Sequence, residues 1–355
     1  VNLIGEHTDY NQGFVLPAAV DRGVTMALKP RSDRRYALYA LDLDRQLEGE
    51  LSELSPHAER WPNYLLGVLD QLQKAGCALG GFEIVYGGDL PIGAGMSSSA
   101  ALECGLAFAL NEMFELRLDR LTLAKLSQAA EHTFVGVHCG IMDQMASLMS
   151  RKDHLMMLDC QDLSCRFVPF ESPVKIFLCD TQVGRALAES GYNERRGQCE
   201  AAAALLRKYK PSIQSLRDVS LDLLDAHCAE FEPVVYRRGR YVIQENNRVL
   251  AAYRALERKD LKAFGDLMNQ SHDGLSRAYE VSCRELDVLA EAAMILPGVL
   301  GARMMGAGFG GCTINLVEAG AENAFIEGMA PAFEKIGKSP KIHGCAPACG
   351  TQRWL

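Results

Sequence analysis

Hydrophobic residues along this 355-residue chain recur with two periods, and stretches of each period alternate from one end to the other. Near the start, short apolar runs flank Asn11-Gln12-Gly13, which reads as a turn between two short strands. Val24-Thr25-Met26-Ala27-Leu28 and Tyr36-Ala37-Leu38-Tyr39-Ala40 are rich in β-formers and predict strands. Residues 64–74 change period: Leu65, Val68, Leu69 and Leu72 fall on one helical face. Phe82-Glu83-Ile84-Val85-Tyr86 predicts a strand leading into a glycine loop. Helices are predicted over 98–114 and 123–134, with a further helical turn or two over 143–149. Leu155-Met156-Met157-Leu158 and Arg166-Phe167-Val168-Pro169 predict a hairpin, and 174–179 a buried strand. The stretch 191–287 is mostly helical in pattern, and Ser282-Cys283-Arg284-Glu285 has the form of a capping box. Thr313-Ile314-Asn315-Leu316-Val317 predicts a strand directly after a second glycine loop. Strands and helices mixed in both halves predict two α+β lobes, 1–173 and 174–355, with a cleft between them.

Three loops carry the candidate chemistry. In Leu90-Pro91-Ile92-Gly93-Ala94-Gly95-Met96-Ser97-Ser98-Ser99-Ala100-Ala101, glycines permit positive φ and close approach of a ligand. The serines open an alanine-rich helix, whose first N–H groups are unpaired and whose dipole favours an anion by ~0.3–1 kcal/mol when exposed. A phosphate suits such a site, although no Gly-Lys-Ser/Thr is present and the loop is not a P-loop. An ordinary serine-capped turn is the structural alternative.

Gly5-Glu6-His7-Thr8-Asp9-Tyr10-Asn11 packs two carboxylates, an imidazole and two hydroxyls into seven residues. Carboxylates accept from paired hydroxyls, so Glu6, His7 and Asp9 suit a polyhydroxylated ligand, with a solvated turn as the alternative. Asp143 follows a glycine turn in Cys139-Gly140-Ile141-Met142-Asp143-Gln144, and its local pattern favours a helix N-cap over a general base. Glu131-His132 reads as a surface pair or a cation ligand. Met305-Gly306-Ala307-Gly308-Phe309-Gly310-Gly311-Cys312 requires close backbone approach to a ligand or to the first loop.

Composition narrows the classes. Nearly half the residues are apolar, enough for a substantial core, and 37 basic against 45 acidic residues give a net charge of −8. An acidic chain without a basic block is a poor nucleic-acid binder. The twelve cysteines are scattered and form no C-x-x-C pair, which argues against zinc and for a reducing, cytoplasmic setting. No apolar run is long enough to span a bilayer.

Together the three loops resemble the signature motifs of the GHMP small-molecule kinases. The opening Val1-Asn2-Leu3-Ile4-Gly5-Glu6-His7-Thr8-Asp9-Tyr10-Asn11 resembles the galactokinase branch of that family. The likeness runs through Arg60-Trp61-Pro62-Asn63-Tyr64, Glu131-His132, Gly140-Ile141-Met142-Asp143-Gln144, Tyr192-Asn193-Glu194-Arg195-Arg196 and Tyr279-Glu280-Val281-Ser282-Cys283. It implies an α+β, two-lobed GHMP kinase fold. The N-terminal lobe would be a ribosomal-protein-S5-like mixed sheet and the C-terminal lobe related to ferredoxin-like folds, with the active site in the cleft. It implies ATP-dependent phosphorylation of the anomeric hydroxyl of D-galactose by a monomeric cytoplasmic enzyme, without nucleic acid or membrane partners.

The resemblance also implies site residues. Gly93, Ala94, Gly95, Met96, Ser97, Ser98, Ser99 and Ala100 would hold the ATP phosphates, and Trp61 would flank the adenine. Ser99 and Glu131 would bind Mg²⁺, which keeps several waters and needs few protein oxygens. Glu6, His7, Asp9, Gly140, Asp143 and Tyr192 would form the sugar pocket. Asp143 would be the catalytic base, a role that displaces the cap reading. Two departures stand out. The family pattern places Pro-Gly-Arg directly before Val1, and a chain without that arginine is expected to bind its substrates but turn over poorly. The family's His-Ser-Leu-Ala-Ser-Ser-Glu-Tyr run is replaced by Arg185-Ala186-Leu187-Ala188-Glu189-Ser190-Gly191-Tyr192. The alternatives are an N-acetylgalactosamine kinase and a non-catalytic galactose and ATP sensor.

Overall fold

The computed structural model describes residues 1–90, 95–170, 173–184 and 188–354, with no side-chain description at 188–190. The chain forms two compact units. One comprises Val1–Ala18, Gly93–Gly95 and Asp153–Pro347; the other comprises Ala19–Ile92, Met96–Lys152 and Ala348–Leu355. These units interleave along the chain instead of following a single cut near Pro173, because the first eighteen residues and the hairpin after Asp153 fold with the C-terminal half.

The unit built on Ala19–Ile92 and Met96–Lys152 has a four-stranded sheet in the order Val24–Pro30, Phe82–Gly88, Arg35–Ala40, Arg45–Glu50. The two central strands run parallel and the other pairings are antiparallel. Four helices accompany it: α1 (Trp61–Lys74), α2 (Ser98–Met113), α3 (Arg120–Ala130) and α4 (Met142–Met149). Leu65, Val68, Leu69 and Leu72 of α1 are fully buried, as their spacing predicts. The helix begins three residues before the predicted 64–74, with Pro62 in its first turn. Proline fits there because that turn's N–H groups have no intrahelical partner. Predicted helix 123–134 is an α-helix capped by Asp119 that opens into a π-helical turn over Glu131–Val135. Such wide turns re-aim side chains, and this one carries Glu131.

The other unit holds a second four-stranded sheet, in the order Val299–Met304, Cys312–Glu318, Val174–Asp180, Ile342–Cys345, antiparallel throughout. The predicted hairpin pairs His154–Asp159 with Cys165–Pro169, and Phe14–Val15 adds to its edge. The helices are α5 (Ala188–Leu206), α6 (Leu221–Ala226), α7 (Pro233–Glu257), α8 (Leu261–Asp273), α9 (Arg284–Met294) and α10 (Glu322–Lys335). One core cluster joins Phe177, Leu289, Phe325, Met329 and Phe333 between the sheet, α9 and α10. A second joins Cys199, Leu206, Tyr241, Val242 and Tyr279. The capping box predicted at Ser282 does not form: α9 starts at Arg284, and the Ser282 hydroxyl donates to Asp287 Oδ1 at 2.6 Å. A one-residue shift of the helix start puts the serine out of reach of the first N–H groups. Among the described residues no helix is long and apolar enough to cross a membrane.

Candidate functional site

The opening motif sits in the unit that contains α5–α10, and buried polar side chains of α7 hold it. Gly5 N–H donates to Glu245 Oε1 at 3.0 Å, Tyr241 O–H to the Glu6 carbonyl at 3.2 Å, and Phe14 N–H to Asn246 Oδ1 at 2.9 Å. Glu245 is fully buried and also accepts from Ser271 and Arg248. Backbone groups in a short irregular segment need such partners, since a buried unpaired N–H costs ~1–3 kcal/mol.

Within this frame Glu6 is 2 % exposed, and its Oε1 accepts from Arg303 Nη2 at 2.6 Å and from Gly306 N–H at 2.9 Å. Arg303 also donates to the carbonyls of Asn2 and Leu3. His7 stands at φ 63 with Nδ1 2.9 Å from the Tyr10 hydroxyl and Nε2 3.2 Å from the Ala307 carbonyl. Burial, together with the positive charges of Arg195 and Arg303, lowers its pKa to about 3, so the ring is neutral. The Tyr192 ring lies 5.5 Å from His7 and 5.1 Å from Tyr10. Asp9 heads the turn Asp9–Asn11, half-buried, where its charge acts on Tyr10 and on Cys160. Thus Glu6, His7, Asp9 and Tyr192 belong to one neighbourhood. The second glycine loop closes on this motif: Gly306 and Ala307 bond Glu6 and His7, and Phe309 N–H donates to Val281 O at 2.7 Å. A Cβ on Gly308 would lie 2.0 Å from Val281 O, which explains the glycine.

Met96 to Ala100, at the head of α2, and Asp143 belong to the other unit, while Gly95 is grouped with the unit of the opening motif. Gly93 and Ala94 lie outside the described residues. Gly95 has φ 83 and Ser97, the N-cap of α2, has φ 54 and ψ 49 with no side-chain capping bond. The first N–H groups of a sixteen-residue helix are therefore left for another acceptor. Met96 and Ala100 are buried and anchor the turn, while Ser97, Ser98 and Ser99 are half-buried.

The Ser99 hydroxyl favours the charged form of the Glu131 carboxylate. Glu131 Oε2 accepts from Gln144 Nε2 at 3.1 Å and from the Cys139 thiol at 3.4 Å. Gln144 Nε2 reaches Glu103 Oε2 at 3.5 Å, and Glu103 Oε1, fully buried, has no hydrogen-bond partner. Burial and the charge of Glu131 push the Glu103 pKa well up. Burial and then the charge of Asp143 push Glu131 up, against the opposing effects of Cys139, Ser99 and Arg60. Asp143, half-buried, is not the N-cap of α4: Ile141 holds that position and Asp143 lies in the first helical turn. Gly140 is buried two residues before the helix. Ser99, Glu131 and Asp143 are thus brought together, with Gly140 beside them in the chain. Trp61 is half-buried at the start of α1, 6.5 Å from the Tyr86 ring, and its Nε1–H donates to Glu59.

Several contributors escape sequence reasoning. Arg303 lies in a buried strand, and Glu103 sits in an alanine-rich helix. A lone charge inside an apolar run is the signal that each needs a partner. Among the described residues no group of three or more His, Cys, Asp or Glu is arranged to hold a metal. A hard cation that keeps its waters does not need one: one carboxylate and one hydroxyl suffice, and the crowded acids of Glu103, Glu131 and Asp143 favour a positive guest.

Comparison with known proteins gives a consistent family. Residues 1–30 match the galactokinase galactose-binding signature, 63–151 the N-terminal domain of GHMP kinases and 252–334 their C-terminal domain. The chain is 43 % identical over 354 residues to a galactokinase of Roseiflexus sp., covering 99 % of this chain and 90 % of that one. It is 41 % identical over 352 residues to a galactokinase of Chloroflexus aurantiacus, with the same coverage. The fold matches Lactococcus lactis galactokinase complexed with galactose at TM-score 0.95 and 37 % identity, covering 99 % of this chain and 92 % of that one. Methanococcus jannaschii mevalonate kinase shares the fold, at TM-score 0.65 and 18 % identity over 98 % of this chain and 95 % of that one.

Proposed function

Because the chain belongs to the galactokinase family of GHMP kinases, we propose that it transfers the γ-phosphoryl group of ATP to the anomeric hydroxyl of D-galactose. The observation that carries the catalytic half is the uncapped head of α2, with Ser99 and the charge of Asp143 both acting on Glu131. Phosphoryl transfer asks mainly for positioning and for stabilisation of charge on the transferring group. The N–H groups after Ser97 are oriented for phosphate oxygens and need no reorganisation to receive them.

Ser99 and Glu131 are the residues that would hold Mg²⁺; two buried carboxyls, one with an unpartnered oxygen, fit a cation. Bound there, the ion supplies charge neutralisation for the phosphate oxygens. Asp143 holds the sugar's C1 hydroxyl and accepts its proton as that oxygen turns toward the phosphorus. Glu6, Asp9 and Tyr192 form the wall that reads the remaining hydroxyls, and His7, neutral, offers a hydrogen-bonding edge without a charge to desolvate. Trp61 gives the adenine a flat apolar face. A wall built to bond hydroxyls rejects a sugar lacking one by ~10⁴-fold.

The test is ADP release from the full-length protein, coupled to a reporter reaction, across galactose, N-acetylgalactosamine, glucose and no sugar. Galactose turnover well above the others supports the proposal. Tight binding of galactose and ATP without ADP release would make the protein a sensor and refute the catalytic reading.

A further inference from the structure

Tyr10 and Tyr279 lie in motifs to which the sugar-kinase reading assigns no task, yet they belong to a continuous buried chain of polar contacts. Tyr279 is fully buried, Cys199 is 1 % exposed and His7 4 %. Four contacts link them in a line: Cys199 Sγ to Tyr279 Oη at 3.1 Å, Tyr279 Oη to Tyr10 Oη at 2.7 Å, Tyr10 Oη to His7 Nδ1 at 2.9 Å, and His7 Nε2 to Ala307 O at 3.2 Å.

The far end fixes the direction of every bond. A backbone carbonyl only accepts, so His7 Nε2 carries a proton. A buried neutral imidazole carries one proton, so Nδ1 is a bare acceptor and Tyr10 must donate to it. The Tyr10 oxygen then accepts from Tyr279, and the Tyr279 oxygen from the Cys199 thiol. Reversing any link would set two lone pairs against each other in a buried site.

We propose that Tyr279 and Tyr10 are positioning residues for sugar binding: their one-way hydrogen-bond chain holds His7 as the Nε2–H tautomer and thereby fastens the second glycine loop to the opening motif. The claim rests on the galactose reading only for what the fastening serves. The loop is attached to the motif through Gly306 N–H to Glu6 Oε1 and through Ala307 O to His7, and the hydrogen-bond chain maintains the latter. Farther along the loop, the Phe309 ring lies against Gly191, where a Cβ would come within 2.5 Å of it. The pocket residue Tyr192 is next in sequence. Loosening Ala307 therefore disturbs His7 and Tyr192 together.

The groups facing His7 are the Tyr10, Tyr192 and Tyr279 rings, the charges of Arg195 and Arg303, and the Ala307 carbonyl. Independent anchors hold the Tyr279 backbone. Arg195 Nε donates to the Tyr279 carbonyl at 2.8 Å and its Nη2 to the Glu280 carbonyl at 2.9 Å, while Arg238 binds the Ala278 carbonyl. Removing the Tyr279 hydroxyl thus breaks the chain without freeing the segment that carries it.

The experiment compares the wild type with Tyr279→Phe and Tyr10→Phe, using protein labelled with ¹⁵N in its histidines. In the wild type the His7 ring shows the neutral Nε2–H pattern, unchanged between about pH 5 and 8. In Tyr10→Phe the Nδ1 resonance moves downfield as it loses its donor, and in Tyr279→Phe it moves the same way by less, because a donor stripped of its own partner is weaker. The KM for galactose rises about 3- to 10-fold in Tyr279→Phe, the yield of one modest hydrogen bond, while the KM for ATP stays within about twofold. A His7 proton on Nδ1, titration of His7 in that range, or a Tyr279→Phe variant with both the resonance and the galactose KM unmoved would overturn the proposal. An equal rise in both KM values would reduce Tyr279 to a general structural role, which also overturns it. If the wild type shows the predicted resonances but no galactose turnover, the galactose reading fails while the hydrogen-bond chain stands.

Discussion

Replacing His7 with glutamine gives a variant whose stability, relative to the wild type, should depend on pH in one direction only. Burial lowers the folded pKa of His7 from 6.5 to about 3. As pH falls below 6.5 the unfolded chain takes up a proton that the folded protein refuses, so the unfolded state binds more protons and folding weakens. Between the two values the loss depends only on the unfolded pKa. At about pH 5 it is 1.5 units times 1.36 kcal/mol, or about 2 kcal/mol relative to neutral pH. Glutamine has no such proton. At about pH 7.5 the variant is the less stable, because glutamine cannot span Tyr10 and Ala307 with the same geometry. On acidification to about pH 5 the wild type should lose about 2 kcal/mol of that advantage. A two-unit protein need not unfold in one step, so the readout is hydrogen exchange of peptides from α7, whose Tyr241 and Glu245 grip this motif. A gap that stays constant or widens on acidification would show that His7 is charged or exposed in the folded state, and would refute the reasoning.

Three further outcomes follow from the same structure. Asp143→Asn should lower kcat by about 10²- to 10⁴-fold with the KM for ATP little changed, measured in single-turnover phosphate transfer; a kcat near wild type would remove Asp143 from the chemistry. Glu103→Gln should act oppositely to His7→Gln. The folded pKa of Glu103 is raised above 4.5, so its stability penalty is absent below about pH 4.5 and grows as pH rises; the variant should gain stability over wild type toward alkaline pH in urea titrations, and a pH-independent difference would contradict the burial of that acid. Gly308→Ala places a methyl group 2.0 Å from Val281 O at φ 85 and should cost about 2–4 kcal/mol in thermal unfolding, whereas an unperturbed variant would mean the loop is not packed as described.

Local signals were legible where one period or one turn residue decided the outcome. The α1 face shows this, since four leucine and valine positions at helical spacing are all buried. The hairpin of His154–Asp159 with Cys165–Pro169 shows it for strands. Illegible features depended on partners distant in sequence. Ser282 looks like a cap but bonds Asp287, because the start of α9 is set by tertiary packing. Asp143 looks like a cap and is not one, because Ile141 already ends the preceding turn. The interleaving of Val1–Ala18 with the C-terminal half could not be read locally, since it rests on Arg303, Glu245 and Asn246, about 230 to 300 residues away. The residues proposed for the site stand out in the sequence as motifs. Their division into a Glu6–His7–Asp9–Tyr192 group and a Ser99–Glu131–Asp143 group, and the support from Glu103, Gln144 and Tyr279, came only with the fold.

The most direct test of the account is the identity of the product. Full-length protein incubated with ATP, Mg²⁺ and galactose labelled with ¹³C at C1 should give, beside the resonances of ADP and in step with them, one ³¹P resonance coupled to C1. Phosphate on any other carbon, or galactose and ATP both bound with no phosphorus–carbon coupling at C1, would contradict the assignment of Asp143 and the head of α2 to transfer at the anomeric oxygen.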